Sequence, residues 1–122
     1  MHSKLNLYKN GIPLEIPIHI DYLDSFFSRL RGYMFRKSIS LEEGIVLVQP
    51  RESVADASIH MLTVFMDLGV IWMDSSQCIV DKVVARSWHP FYLPKKPAKF
   101  TLEIHPSRLS EFNLGDKITF AS

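Results

Sequence analysis

The residues of this sequence best suited to chemistry are one histidine and two carboxylates in apolar surroundings. Asp67 and Glu103 each lie between two apolar residues, and His60 lies in the apolar run 58–64. Burial raises the pKa of a carboxyl group, which suits the group to proton exchange with a nearby imidazole. If the protein is an enzyme, we expect His60 to work with Asp67 or Glu103. The alternative is that each carboxylate pairs with an arginine, the candidates being Arg31, Arg36 and Arg86.

Basic and aromatic side chains supply a second set of candidates. Arg31 and Arg36 belong to a basic cluster that suits an anion, and Trp88 opens the ring-rich loop 88–92, which suits a sugar or a small ring. A basic cluster of this kind is also typical of a solvated surface. The loop 88–92 would look the same in sequence if its rings only packed over an open barrel end and bound no ligand. The ligand-binding candidates are therefore Arg31, Arg36, His60, Asp67, Trp88 and Glu103.

Several common types of site lack their sequence motif. No two histidines have metal-binding spacing, the glycines are isolated, and there is no Gly-x-Ser-x-Gly nucleophile motif. We therefore expect no metal and no cofactor, although strands could still bring His60, His89 and His105 together. The lone Cys78 excludes an internal disulfide and fits a reducing, cytoplasmic location.

The composition and charge narrow the class of protein. The 122 residues are 47% apolar and 22% charged, with a net charge of +1. These values predict one folded domain over residues 1–122, with no global charge to attract nucleic acid. No apolar stretch approaches the length of a membrane span or a signal peptide, so we expect no membrane contact. The sequence indicates no oligomeric state.

The elements that must position the candidates begin with a hairpin. Apolar residues alternate on both sides of Asn10-Gly11, a pair that favours a type I′ turn, and they continue at every second position over residues 12–20. Pro13 and Pro17 lack an N–H group for a ladder. We therefore expect the second strand to lie at an edge of the sheet.

A helical period follows the hairpin. Four large side chains share one helical face, namely Leu23, Phe26, Phe27 and Leu30. This spacing predicts a helix from Tyr22 to Arg31, capped by Asp21 and ended by Gly32. We expect its apolar face to pack on the core and close it.

Six short strand-like runs follow the helix, separated by turn residues. They cover residues 45–48, 58–64, 68–73, 78–85, 100–105 and 117–120, and residues 106–112 read as a helical turn in which Leu109 packs on Phe112. The pattern predicts a mostly β protein with minor α content. We expect a small β-barrel or sandwich of about eight strands with one main helix packed on it.

Several separated motifs keep the order found in one family. The chain resembles the domain of unknown function family number 192 in Arg31-Gly32-Tyr33-Met34-Phe35-Arg36, Ser58-Ile59-His60, Trp72-Met73-Asp74, Leu102-Glu103 and Gly115-Asp116. The resemblance spans most of residues 22–120 and implies a compact β fold with no assigned biochemistry. Asp67 and Gly69 take the places of the family's Pro-x-Asp pattern. The carboxylate expected at Gly69 is missing, and Asp67 could compensate for it from the same strand face.

Three functions are consistent with these features. We expect foremost a small-molecule binding module, in which one open barrel end, lined by Arg31, Arg36, His60 and Trp88, holds a small anionic or ring-containing ligand. The first alternative is the acid–base enzyme described above. The second is a structural or protein-interaction domain with the Trp88 loop as its contact surface.

Overall fold

The computed structural model describes residues 4–122, which form eight strands, one α-helix and one 3₁₀-helix. The helices are α1 (Phe26–Arg31) and η1 (Pro106–Glu111). The strands are β1 (Leu5–Lys9), β2 (Ile12–Pro13), β3 (His19–Leu23), β4 (Glu43–Ser53), β5 (Leu68–Met73), β6 (Ile79–Ala85), β7 (Ala98–Ile104) and β8 (Ile118–Ala121). The predicted mostly β class with minor α content is confirmed.

The strands form one sheet that curls into a half-barrel. Its order is β2-β1-β3-β4-β7-β5-β6, and β8 pairs with the other edge of β1. Strands β3 and β4 pair in parallel, and the other pairs are antiparallel. A bridge from Cys78 to Lys117, next to a 2.9 Å hydrogen bond from Ile118 N–H to the Gln77 carbonyl, brings β8 against the start of β6. The two ends of the sheet therefore approach each other, as in a barrel.

The predicted hairpin is present, but its second strand is shorter than expected. Asn10 and Gly11 both have positive φ, at 53° and 78°, as a type I′ turn requires. Strand β2 lies at the end of the sheet order and stops at Pro13, and pairing resumes only at His19. The prediction of one strand over residues 12–20 was wrong: β2 ends at Pro13, and Pro17 in the gap before β3 cannot donate to a ladder.

The predicted helix begins four residues later than expected. Asp21, Tyr22 and Leu23 belong to β3, where they pair with β4, so Asp21 is not the cap. Ser25 caps α1 instead, since its side chain accepts from the Ser28 N–H at 3.1 Å and the Ser25 N–H donates to the Ser28 hydroxyl oxygen, also at 3.1 Å. Gly32 ends the helix as predicted, with a φ of 43° and a ψ of −124°.

The expectation that this helix closes the core was also wrong. No residue of α1 is buried, Phe27 is 79% exposed, and both Phe26 and Leu30 are more than half exposed. The interior of the curled sheet is instead filled by the strands and by Leu109 and Phe112, the pair predicted on the second helical turn. Since that space is already occupied, α1 lies outside it.

Residues 58–64 are not a strand, although they were predicted to be one. Only Ile59 makes a bridge, with Tyr92. The alternating apolar pattern arises because Ile59, Met61 and Val64 are buried while the segment crosses the outer face of the sheet as a loop. A loop that packs inward at intervals gives the same sequence signal as a half-buried strand.

Side chains alternate between two apolar clusters, one on each face of the sheet. The inner cluster contains Val46 and Leu102, and the outer cluster contains Ile45 and Trp72. The Trp72 indole donates a 2.8 Å hydrogen bond to the Ala57 carbonyl, which holds the covering loop to the sheet. Trp72 itself is buried. The candidate site lies in this outer layer.

Candidate functional site

A cavity of about 330 Å³ lies between the outer face of the sheet and the segments that cover it. Strands β4 and β7 contribute Leu47, Gln49 and Glu103 to it. Helix α1 with residues 32–34 forms one side, and residues within 56–64 form the other. A cavity of this volume matches the usual size of a small-molecule site.

Glu103 is the buried charged group of this cavity. It lies in a row across three strands, paired with Ile45 of β4 and Val70 of β5, and it is 5% exposed. Its carboxyl group forms no hydrogen bond or ion pair with any residue from 4 to 122. Burial raises the pKa of Glu103 to about 7. The carboxyl can therefore lose or accept a proton near neutral pH.

Gln49 and Tyr33 also line the cavity, and neither was among the predicted site residues. Gln49 is buried two residues beyond Leu47 on the same face of β4, and its amide has no hydrogen-bond partner within the described chain. Tyr33 is buried, and burial together with the carboxylates of Glu43 and Glu103 raises the pKa of its hydroxyl, which stays neutral. In the sequence, Gln49 is the polar residue that follows the apolar run 45–48, and Tyr33 lies within the family motif.

His60 is positioned by hydrogen bonds of its two neighbours. The backbone of Ile59 exchanges two 3.0 Å bonds with Tyr92, and the Met61 N–H donates to the His89 carbonyl at 3.0 Å. The imidazole lines the cavity, and its Nδ1 is buried with no hydrogen-bond partner within the described residues. Such an unsatisfied atom is uncommon in folded proteins.

Helix α1 supplies the more exposed side of the cavity. Arg29 donates to the carbonyls of Asp24 and Val48, which ties the helix to β4. Arg31 is exposed and forms no ion pair in the described part of the chain. A Cβ placed on Gly32 would lie 3.7 Å from the Glu103 Oε1, so the backbone at Gly32 passes close to that carboxyl.

Three of the six predicted site residues share this cavity, and three lie elsewhere. Arg31, His60 and Glu103 line it, whereas Asp67, Arg36 and Trp88 do not. Arg36 and Trp88, which were predicted to lie with His60 around one open barrel end, are thus outside the cavity that His60 lines.

Asp67, Arg36 and Trp88 each have a partner of their own. Asp67 accepts from Arg86 and from the Ser87 N–H, both at 2.9 Å, and these bonds lower the pKa of its carboxyl. This is the arginine pairing predicted as the alternative for Asp67. Because Asp67 precedes β5, it does not share a strand face with Gly69 and the predicted compensation is not formed. Arg36 pairs with Glu43 at 2.9 Å, and the Trp88 ring contacts the ring of Phe65, with the two centroids 5.6 Å apart.

A family model for DUF192, described as "Uncharacterized ACR", matches residues 9–120. The chain belongs to DUF192. The family carries no assigned activity, so membership confirms the resemblance without adding a reaction.

Sequence relatives of this DUF192 chain are named only as UPF0127 proteins. One from Thermococcus kodakarensis is 39% identical over 99 residues, which cover 80% of this chain and 61% of that protein. One from Thermococcus gammatolerans is 36% identical, covering 70% of this chain and 54% of that protein. One from Pyrococcus furiosus is 37% identical and covers 73% of each chain. The chain thus matches little more than half of each Thermococcus relative.

Two crystal structures share the fold at low sequence identity. One, from Novosphingobium aromaticivorans, is a protein of unknown function with a TM-score of 0.79 and 17% identity, covering 95% of this chain and 83% of that one. The other, from Sinorhizobium meliloti, has a TM-score of 0.82 and 13% identity, covering 98% and 95%, and its description suggests a transcription regulator. At these identities the comparison supports the DUF192 fold alone.

The histidines of this DUF192 chain are dispersed over residues 4–122. His89 stacks on Tyr92 with ring centroids 4.5 Å apart, and His105 caps η1 by accepting from the Ser107 N–H. No group of three His, Cys, Asp or Glu side chains in the described range could hold a metal ion. The grouping of His60, His89 and His105 left open by the sequence is therefore absent there. No helix within this range is long and apolar enough to cross a membrane.

Proposed function

We propose that this DUF192 chain binds a small molecule in the cavity beside Glu103. The observation that carries the proposal is that His60 Nδ1, which is buried and has no hydrogen-bond partner in the described chain, lines the same cavity as Glu103 and Gln49. Leaving a buried polar group unpaired costs about 1–3 kcal/mol. A ligand that bonds to His60 Nδ1 would recover that free energy, and the side chains of Glu103 and Gln49 offer it further partners.

The rest of the lining favours a ligand with an apolar part. Leu30, Leu47, Met61 and Val64 contribute hydrocarbon surface around the polar groups. Mostly apolar walls with a few convergent polar groups are the usual composition of a small-molecule site. The proposed site keeps Arg31, His60 and Glu103 from the sequence prediction and replaces the others with Gln49.

A thermal-shift screen against a broad metabolite collection tests this proposal. We expect at least one compound to raise the melting temperature of the wild type and of Glu42→Gln, a matched control whose exposed side chain lies outside the cavity. The same compound should give a much smaller shift with Glu103→Gln. Failure of every compound to shift the wild type, or equal shifts in all three proteins, would contradict the proposal.

A second candidate function is acid–base catalysis in the same cavity. Two observations favour it: His60 and Glu103 both line the cavity, and the pKa of Glu103 lies close to neutral. Incubation of a compound found in the screen, followed by NMR, tests this idea. Catalysis predicts conversion by the wild type, with conversion lost and binding retained in His60→Gln. An unchanged spectrum would leave only the binding function.

A further inference from the structure

The arrangement of charges around the cavity identifies the class of ligand it fits. Asp56, the other carboxylate that lines the cavity, pairs with Arg51 at 2.8 Å, and the nearby Glu43 pairs with Arg36 at 2.9 Å, so both carboxylates already have a counter-ion. Glu103, which is more deeply buried than either, has none within residues 4–122. A buried carboxylate without a counter-ion attracts a cation strongly, because little solvent screens it.

The two arginines of the lining do not neutralise this carboxylate. Arg29 is directed to the backbone carbonyls of Asp24 and Val48. Arg31 is exposed, and neither arginine contributes to the pKa shift of Glu103, whose only cause is burial. The buried part of the cavity is therefore acidic, even though the sequence around α1 is basic.

The other unpaired groups of the lining can accept hydrogen bonds. The Gln49 side chain offers its carbonyl oxygen, and the His60 Nδ1 is an acceptor when the proton is on Nε2. An ammonium group has three N–H donors and no acceptor.

We infer that the cavity recognises a small organic cation, a protonated amine with an apolar body whose ammonium group binds Glu103. This inference rests on the proposed binding function. It gives the ligand a positive charge, whereas the basic cluster in the sequence predicted an anionic ligand. The apolar body would lie along Leu30, Leu47 and Met61. The raised pKa of Glu103 adds a consequence, because binding of a cation ionises the carboxyl and releases a proton near neutral pH.

Three probes that share a phenyl ring and differ in the polar end test the inference: 2-phenylethylamine, 2-phenylethanol and 3-phenylpropionate. Isothermal titration calorimetry at pH 8 measures each one against wild type, Glu103→Gln and Glu42→Gln. We expect the amine to bind the wild type at least about tenfold more tightly than the alcohol or the acid. We also expect Glu103→Gln to lose that preference and Glu42→Gln to keep it, and the affinity of the wild type for the amine to fall between pH 8 and pH 6.

The outcomes separate this inference from the proposed function. Tighter binding of the acid or the alcohol, with amide shifts at Gly32 and Gln49, would overturn the cation inference and leave small-molecule binding intact. An amine affinity that Glu103→Gln does not change would also overturn it. No binding by any of the three probes at millimolar concentration would overturn the inference, and the metabolite screen alone would then decide the binding function. Circular dichroism of both variants confirms that they are folded.

Discussion

Glu103 should give the stability of the protein an unusual dependence on pH. Burial raises the pKa of this group from 4.5 to about 7, so the folded state holds the proton more tightly than the unfolded state. Below about pH 4.5 the group is neutral in both states and has no effect. As the pH rises to about 7 the folded state loses stability, by roughly 3 kcal/mol in total, and above that range the loss is constant.

Urea denaturation at pH 5 and at pH 8 measures this effect. Glu103→Gln keeps the shape of the side chain and removes the charge, so the variant should be more stable than the wild type at pH 8 and differ much less from it at pH 5. The matched substitution Glu42→Gln should behave as the wild type at both values. If the difference in stability between Glu103→Gln and the wild type is no larger at pH 8 than at pH 5, the carboxyl is solvated or paired.

At the scale of elements, the helical segments exchange the roles expected from their sequences. Phe27 of α1 is 79% exposed, whereas Phe112, directly after η1, is completely buried. Replacing Phe112 with Ala should therefore lower the free energy of unfolding by about 4 kcal/mol, through lost burial and a cavity. Replacing Phe27 with Ala should change it by less than about 0.5 kcal/mol.

Chemical denaturation of both variants gives the comparison directly. A loss of several kcal/mol in Phe27→Ala would mean that α1 is packed on the core, as its apolar spacing first indicated. Equal losses in the two variants would contradict the assignment of η1 as the segment that completes the inner core.

Local turn chemistry and strand alternation predicted most of the sheet. The hairpin at Asn10-Gly11 could be predicted because positive φ at both positions is a local requirement, and β5 was predicted at its observed bounds of Leu68–Met73. The helix could not be placed correctly, because Tyr22 and Leu23 join β3 by pairing with β4, a contact distant in sequence. Residues 58–64 were assigned as a strand because inward packing at intervals imitates alternation.

The candidate site could be predicted only in part, for the same reason. Glu103 and His60 were identified because a charged or polar residue inside an apolar run is conspicuous. Their convergence depends on the pairing of β7 with β4 and on the path of the covering loop, which no local signal encodes. Trp88 was included because exposed rings often bind ligands, and its ring is half exposed, but it lies against Phe65 and does not line the cavity.

At the scale of the whole molecule, one buried arginine joins three segments that are far apart in sequence. Arg108 of η1 donates to the carbonyl of Leu41 at 2.6 Å and to that of Ile16 at 2.7 Å, and it pairs with Glu111. Arg108→Ala should lower the free energy of unfolding by about 2–3 kcal/mol, because it removes a buried side chain and leaves two partly buried carbonyl groups and a partly exposed carboxylate without their partner.

A surface pair provides the control for that variant. Arg51 pairs with Asp56 at 2.8 Å but is largely exposed, so Arg51→Ala should cost less than about 1 kcal/mol. Urea denaturation of both proteins at pH 7 distinguishes the two cases. Similar small losses would contradict the role of Arg108 in holding the segments around Ile16 and Leu41 to η1.

Amide chemical-shift mapping by NMR, with a compound that stabilises the protein, shows whether this chain binds a small molecule in the cavity beside Glu103. We expect the largest shifts at residues lining the cavity, namely Gly32, Gln49, His60 and Glu103, and we expect these shifts to be lost in Glu103→Gln. Shifts centred on the Phe65–Trp88 contact, or shifts that persist unchanged in Glu103→Gln, would contradict binding in this cavity.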